Sequence, residues 1–313
     1  MFFGARGRCL GVPAASAAVA TRSLWAAMAR SRDLRAPPQP LTADDALQLG
    51  GKHSDVAPMN EKKHETIRAY YRRLFSAWRH QHWWPAQSRF EVIVGAYLTQ
   101  NTSWTNVEKA LRNLRKAGVL TIRGIRQTPQ PQLERVIRPS GYFRQKAQRL
   151  KTFVRFLDER YGGSLAQMFA RPTGELRGEL LALSGVGPET ADSILLYAGN
   201  HPVFVVDAYT RRILERHRIV ESGADYDEIR RLFEHALSGM APPEQSPDFT
   251  PALTGPPGSS HRPSRVSRAT RTALVQVFNE MHGLMVGVGK HYCLKSQARC
   301  DQCPLQKFLP PAE

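Results

Sequence analysis

Cysteine is scarce, with four in 313 residues. Three of them crowd together as Cys293, Cys300 and Cys303, a distribution that excludes a secreted disulfide scaffold and fits a metal or cluster site in a reducing compartment. No stretch approaches about 18 consecutive apolar residues, so no transmembrane helix is expected. Nothing alternates with period two for long enough to demand a sheet. Acidic residues are short as well, 27 Asp and Glu against 44 Lys and Arg, which leaves a formal net charge of +17. Such a surface attracts a polyanion, either nucleic acid or an anionic membrane, and composition alone does not choose between them.

The pattern that is present is helical. Ile67, Tyr70, Tyr71, Leu74, Phe75 and Trp78 recur at the helical period and give one apolar face. The segment HQHWWP, from His80 to Pro85, interrupts the pattern. Further stripes follow: Phe90, Ile93, Val94, Tyr97 and Leu98; then Trp104, Val107, Leu111 and Leu114; then Ala147, Leu150, Val154 and Leu157. Stripes joined by short Gly and Pro punctuation argue for an all-α fold. Residues 1–58, rich in Ala, Arg, Ser and Pro with Asp33 as their first acidic residue, lack this periodicity. They read as a targeting peptide, a disordered basic arm or an over-long start, with Met28 or Met59 as the true first residue. Residues 241–267, crowded with Pro, Ser, Thr and Gly, read as a flexible surface insertion, and helical pattern returns from Thr272 to about Val288.

The most informative stretch runs from Pro172 to Asn200. Leu176, Leu180 and Leu183 share a face of one helix, and Ala191, Ile194, Leu195 and Ala198 a face of the next. Between them stands Ser184-Gly185-Val186-Gly187-Pro188. The glycines open backbone angles closed to other residues, Pro188 suits a first helical turn, and the free N–H groups of Gly185, Val186 and Gly187 are suited to a phosphate. An ordinary helix–helix corner has the same look. Downstream, Val205 and Val206 lead to Asp207, where another amphipathic helix opens. Aspartate there is an N-cap, and the same helix N-terminus keeps its carboxylate ionised.

These residues resemble the endonuclease III-like glycosylases of the helix-hairpin-helix superfamily. The resemblance rests on LSGVG at Leu183 to Gly187, followed at a fixed interval by the Val206-Asp207 pair. It implies that Asp207 is the catalytic carboxylate. Leu98-Thr99-Gln100-Asn101-Thr102 is similar to the family's loop that enters the duplex, which assigns Gln100 to the gap left by an extruded nucleotide. The run from Pro139 to Ala147 is similar to the loop that wedges the opposite strand, which puts Tyr142 in that role. The resemblance also implies two helical domains flanking a cleft, one discontinuous (59–89 with 203–290), one carrying the hairpin (90–202), then a cysteine-containing loop (291–313). Where lyase members carry a lysine, this chain has Glu189, which forms no Schiff base, so a monofunctional hydrolase is expected.

Within the superfamily the sequence is most similar to the branch that excises 3-methyladenine, through Trp83-Trp84-Pro85, LTQNT and the PSGYF loop. That implies alkylated purines as substrate and Trp83, Trp84, Phe90 and Tyr97 as candidate pocket walls, since an aromatic face attracts a cationic base. The alternatives are oxidised pyrimidines with weak lyase activity, mismatched bases, and a non-catalytic DNA-binding module. Arg144, Lys146, Arg211 and Arg212 are the expected basic contacts to damaged double-stranded DNA. No membrane partner is expected. The reading is a monomer, cytoplasmic and nucleoid-associated, with organellar targeting left open by the N-terminal segment.

The family's four-iron, four-sulfur loop has four cysteines. Here Cys293, Cys300 and Cys303 match its first two gaps, and Leu309 stands at the fourth position. The expectation is a 4Fe-4S cluster with an atypical fourth ligand. Zinc held by the three thiolates with His291, or no metal and plain packing of Leu305 and Phe308, are the alternatives.

Overall fold

The protein, described from a computed structural model, is seen at residues 56–242 and 263–311. The expectations for the N-terminal segment to residue 55 and for 243–262 of the insertion lie outside the described residues. Among the described residues there are twelve α-helices and no strand. In chain order they are α1 (Val56–Trp78), α2 (Arg89–Thr99), α3 (Trp104–Lys116), α4 (Ile122–Gln127), α5 (Gln130–Val136), α6 (Phe143–Tyr161), α7 (Leu165–Phe169), α8 (Thr173–Leu181), α9 (Pro188–Ser193), α10 (Ala208–Arg216), α11 (Tyr226–Leu237) and α12 (Ala273–His291). Helix α9 runs on through a π-helical segment, Ile194–Gly199. The all-α expectation holds, and the buried stripes of α1, α3 and α6 follow the helical period, with Trp104 of α3 half-buried.

Two helices are buried on nearly all sides and form the interior. In α2 every residue from Phe90 to Leu98 is buried, and α3, α6 and the π-helical segment pack around it. In α12 every residue from Val277 to Gly289 is buried, and α1, α10 and α11 pack on it. Their starts are fixed locally. Ser88 caps α2 by accepting from Glu91 N (3.1 Å), and Thr272 caps α12 by accepting from Val275 N (3.4 Å).

Between α1 and α2 the HQHWWP segment is pinned to α12. Glu280 accepts from Gln81 N (2.9 Å) and Gln276 Nε2 (2.7 Å), and its Oε1 lies 3.0 Å from His80 Nδ1. Close approach needs small residues beneath the indoles. A Cβ on Gly95 of α2 would stand 3.2 Å from Trp84, and one on Gly283 of α12 would stand 3.2 Å from Trp83 Cβ and 3.0 Å from Gln81 Cβ. The far end of the insertion closes over the same segment. Ser264 Oγ donates to Trp84 O (3.3 Å), Val266 N donates to Ala86 O (3.1 Å), and both residues are buried.

Lys146 departs from its expected place on a DNA-binding surface. It is 1% exposed, and its ammonium donates to Leu98 O (2.8 Å) and Ser140 O (2.7 Å). One buried side chain thus ties the end of α2 to the turn before α6, because each of those carbonyls lacks a helical donor and takes this one. Burial, with Arg149 nearby, pushes the Lys146 pKa down from 10.5 to about 8.

Replacing Lys146 by Met leaves two buried carbonyls without that donor and is expected to destabilise the fold by about 1–3 kcal/mol at neutral pH. On unfolding, Lys146 regains its ordinary pKa. Between the folded value of about 8 and the unfolded 10.5, the unfolded chain therefore binds a proton that the folded chain lacks, and stability rises with pH. Urea unfolding of both proteins across that window should show the wild type gaining on the Lys146→Met variant as pH rises. A constant difference contradicts the depressed pKa.

Candidate active site

The hairpin joins α8 to α9. Gly185 has φ +79°, the left-handed region that favours glycine, and a Cβ there would lie 2.0 Å from Arg149 Nε, so that side chain would have to move. Gly187 caps α9, with Pro188 in its first turn. Val186 is buried and donates its N–H to Leu183 O within the turn (3.0 Å), so its amide is already used. Gln100 is drawn to this hairpin. Its Nε2 donates to Gly185 O (2.9 Å) and Thr190 Oγ1 (3.0 Å), while its Oε1 accepts from Arg149 Nη1 (2.6 Å). The loop after α2 and the hairpin are therefore one hydrogen-bonded unit, with Arg149 of α6 as the fastener.

Asp207 is the N-cap of α10. Its Oδ1 accepts from Thr210 N at 2.7 Å, and its Oδ2 lies 3.6 Å from Nε2 of the buried His282 on α12. Burial alone raises a carboxyl pKa. Here the His282 and Thr210 contacts outweigh it and hold Asp207 below the usual carboxylate range. On its other nitrogen, His282 Nδ1 lies 2.5 Å from Tyr197 OH in the π-helical segment. Tyr197 packs under Trp84, with centroids 5.2 Å apart, and Trp84 meets Trp104 edge-on at 5.2 Å. Trp83 touches His282 at 6.0 Å on one side and carries Lys290 Nζ 5.6 Å from its ring on another. Burial lowers the Lys290 pKa, with the charges of Asp207 and Glu108 partly offsetting it.

Glu189 completes the charge pattern. It is open to solvent at the mouth of the hairpin yet hemmed in by protein, and its carboxyl is pushed up to about 7, chiefly by desolvation and then by the Asp207 charge. The two carboxyls are thus driven in opposite directions, one fixed as an anion and one able to carry a proton at neutral pH.

The other expected residues divide clearly. Tyr142 is 67% exposed, the large apolar side chain left open among the described residues, and it is held at φ +43° ahead of α6. Arg144 is exposed, over the Phe143 ring at 5.9 Å. Trp83 and Trp84 stand beside the Asp207–His282 contact but are 7% and 5% exposed. Phe90 is buried within α2. Tyr97 is a correction, since it is 1% exposed and packs on Phe153 in the core at 6.0 Å. Arg211 and Arg212 are corrections as well, because their guanidinium groups are engaged internally. Arg211 Nη1 donates to Ala224 O, and Arg212 donates to Cys293 O (2.8 Å) and Gly289 O (3.3 Å). Sequence reading missed His282, Tyr197, Lys290 and Arg149. Among these Arg149, one helical turn from the quoted QKA run, and Tyr197, within the stretch from Pro172 to Asn200, sat near recognised motifs.

The cysteine expectation is overturned. Among the described residues no group of three or more His, Cys, Asp and Glu side chains is placed to hold a metal ion. Cys293, Cys300, Cys303 and Leu309 line a pocket of about 20 Å³, room for about one water molecule rather than an iron–sulfur cluster. Cys293 Sγ accepts from Arg216 Nη1 (3.2 Å), and desolvation pushes the Cys303 thiol up to about 11. The cluster and its zinc alternative are both withdrawn.

Comparison with known proteins bears on this geometry. Residues 94–238, which contain the hairpin and Asp207, match the model for the HhH-GPD superfamily base excision DNA repair proteins. The chain is 39% identical over 251 residues to a candidate DNA repair glycosylase of Methanocaldococcus jannaschii, covering 80% of this chain and 98% of that one. It is 28% identical over 230 residues to endonuclease III-like protein 1 of Mus musculus, covering 73% of this chain and 61% of the relative. Among solved structures, H. pylori 3-methyladenine DNA glycosylase bound to 1,N6-ethenoadenine superposes with a TM-score of 0.55 at 28% identity, covering 73% of this chain and 97% of that one. Similarity of this extent, centred on the segment that holds the hairpin and its aspartate, makes the chain a member of the HhH-GPD superfamily of base excision DNA repair glycosylases.

Proposed function

We propose that the chain is a hydrolytic glycosylase in which Asp207 is the reacting anion. The observation that carries this reading is the carboxylate itself, seated on a helix N-terminus, contacted by His282 and held ionised despite burial. A preorganised anion stabilises the positive charge that develops on the sugar as the base leaves, and it orients the attacking water. Glu189 stands where a Schiff-base lysine is needed, which favours simple hydrolysis to an abasic site. The hairpin glycines and Arg144 would contact the DNA backbone, and Tyr142, presented in a strained left-handed conformation, would wedge the duplex. Gln100, once released from Arg149 and the hairpin, would enter the vacated stack. Trp83 and Trp84 would approach the base from beside His282, in a cleft between the discontinuous helical group and the hairpin group of a monomer.

On the damaged base, the relatives lend more support to an endonuclease III-like specificity, oxidised pyrimidines, than to alkylated purines. Endonuclease III proteins recur among relatives from mouse to Thermotoga maritima. The alkylpurine reading keeps one specific support, the likeness to the H. pylori enzyme together with the Trp83–Trp84 pair. Weak lyase activity also has a candidate amine in Lys290, which lies over Trp83 within electrostatic reach of Asp207.

Release of free base from an alkylated and an oxidised duplex, measured side by side, decides between the substrate classes. On whichever is cleaved, Asp207→Asn is expected to slow release by about 100-fold or more while keeping DNA affinity. Full activity in that variant sinks the assignment. Borohydride reduction should trap no covalent adduct with wild type in good yield, whereas Glu189→Lys should gain one. An adduct in wild type that disappears in Lys290→Met would move the enzyme to the lyase alternative. Affinity should fall steeply between low and moderate salt, and a flat salt response would defeat the backbone-contact picture.

A further inference from the structure

We propose that His282, fixed in one tautomer by Tyr197, is a positioning residue for the Asp207 carboxylate. The inference rests on the reading of Asp207 as the reacting anion, and it assigns roles to two buried side chains that the reaction scheme above leaves unused.

The argument begins at the buried end. Tyr197 is fully enclosed, and burial pushes its pKa far up, so its phenol keeps its proton. The phenolic O–H is therefore available as a hydrogen-bond donor. His282 Nδ1, 2.5 Å away, is the acceptor. An imidazole that accepts at Nδ1 carries its proton on Nε2 when neutral. Nε2 has no hydrogen-bond partner within the ordinary limit and faces Asp207 Oδ2 at 3.6 Å. The chain of groups therefore has one polarity, phenol to imidazole to carboxylate. It ends by presenting an N–H to the oxygen of Asp207 that Thr210 N does not hold.

At 3.6 Å the last contact is longer than a formed hydrogen bond, the usual state of such contacts before substrate closes the site. What sets His282 apart is that its second nitrogen, buried and without a closer partner, faces a carboxylate oxygen. The choice of donor also fits the chemistry. An N–H facing Oδ2 fixes the orientation of the carboxylate, in the neutral and the protonated imidazole alike.

Other charges face the pair. Glu189 lies toward Asp207 and His282 from the hairpin, Lys290 toward Asp207 from the end of α12, and Arg271 toward Tyr197 from ahead of α12. Glu189 titrates near neutrality and shapes the upper part of a pH profile. Asp207 governs the acid limb, because it must be ionised to act.

The test is single-turnover base release across the pH range on the alkylated or oxidised duplex that wild type cleaves, with affinity for a tetrahydrofuran abasic duplex measured in parallel. His282→Phe should slow release by about 10- to 100-fold, leave the abasic-duplex affinity within about twofold, and move the acid limb up by about one pH unit. His282→Gln, which keeps an N–H donor, should recover most of the rate and return the acid limb toward wild type. Tyr197→Phe, which frees the tautomer, should fall between them, and it carries the test if His282→Phe does not fold. An acid limb unmoved in both His282→Phe and Tyr197→Phe overturns the proposal, as does a loss of affinity equal to the loss of rate. Asp207→Asn is run beside them. If it releases base at the wild-type rate, the reading of Asp207 falls first. If it is inactive while the His282 and Tyr197 variants behave as wild type, only the positioning role falls.

Discussion

Glu280 is 2% exposed in the middle of α12, and its two oxygens take the Gln81 amide, the Gln276 side chain and the contact to His80. A carboxylate buried that deeply demands such partners, since unpaired it would be strongly destabilising. Meeting the demand fixes the segment from His80 to Pro85 against α12, and Gly283, one helical turn from Glu280 along that face, lets the segment lie close. Trp83 is thereby set beside His282, and Trp84 is set over Tyr197. One buried helix thus supplies the contact to Asp207, the anchor for the aromatic segment and the lysine above its indole. The site depends on that anchoring more than on any loop.

How much of this was readable in the chain beforehand follows from the range of each interaction. Asp207 was legible because capping is local: the carboxylate and the Thr210 amide it accepts from are three residues apart. The stripes of α1, α3 and α6 were legible because one face of each is polar. Helix α12 is buried all round, so periodicity offers no face to read and His282 passes for one more interior residue. Its partners are 75 and 85 residues distant in sequence, at Asp207 and Tyr197. Lys146 was misplaced for a related reason. Lysine is rarely buried unless paired, and the carbonyls that satisfy it come from Leu98 and Ser140, each at the end of a different element. Gln100 sat in a recognised motif, yet its clamp by Arg149 and the hairpin appears only once α6 and the turn are brought together.

The cysteines show that spacing alone does not report ligation. The turn of the expected knuckle is present, with Cys303 N donating to Cys300 O at 3.1 Å. What holds the segment is different. Arg216 donates to Cys293 Sγ, Leu294 O and Lys295 O, Leu305 is fully buried, and Phe308 meets Tyr70 edge-on at 5.0 Å. A guanidinium is a planar multiple donor suited to gathering adjacent acceptors, so it braces a chain terminus through directional bonds. Sequence spacing reports the turn, and only side-chain placement reports the ligands.

The residue at 189 links the remaining observations. A lysine there would place a cation near Asp207 and keep it ionised by simple attraction. Glutamate does the reverse, since two carboxylates in reach of each other cannot both ionise freely, and one must hold a proton more tightly. Which one yields depends on neighbours. Asp207 has a helix N-terminus, the Thr210 amide and His282, while Glu189 has partial desolvation and the Asp207 charge against it. Glu189 is therefore the carboxyl whose pKa rises, to about 7, while Asp207 is held below the usual carboxylate range. Without a lysine at 189, the electrostatic work of holding Asp207 ionised passes to the interior, to α12 and the end of α10.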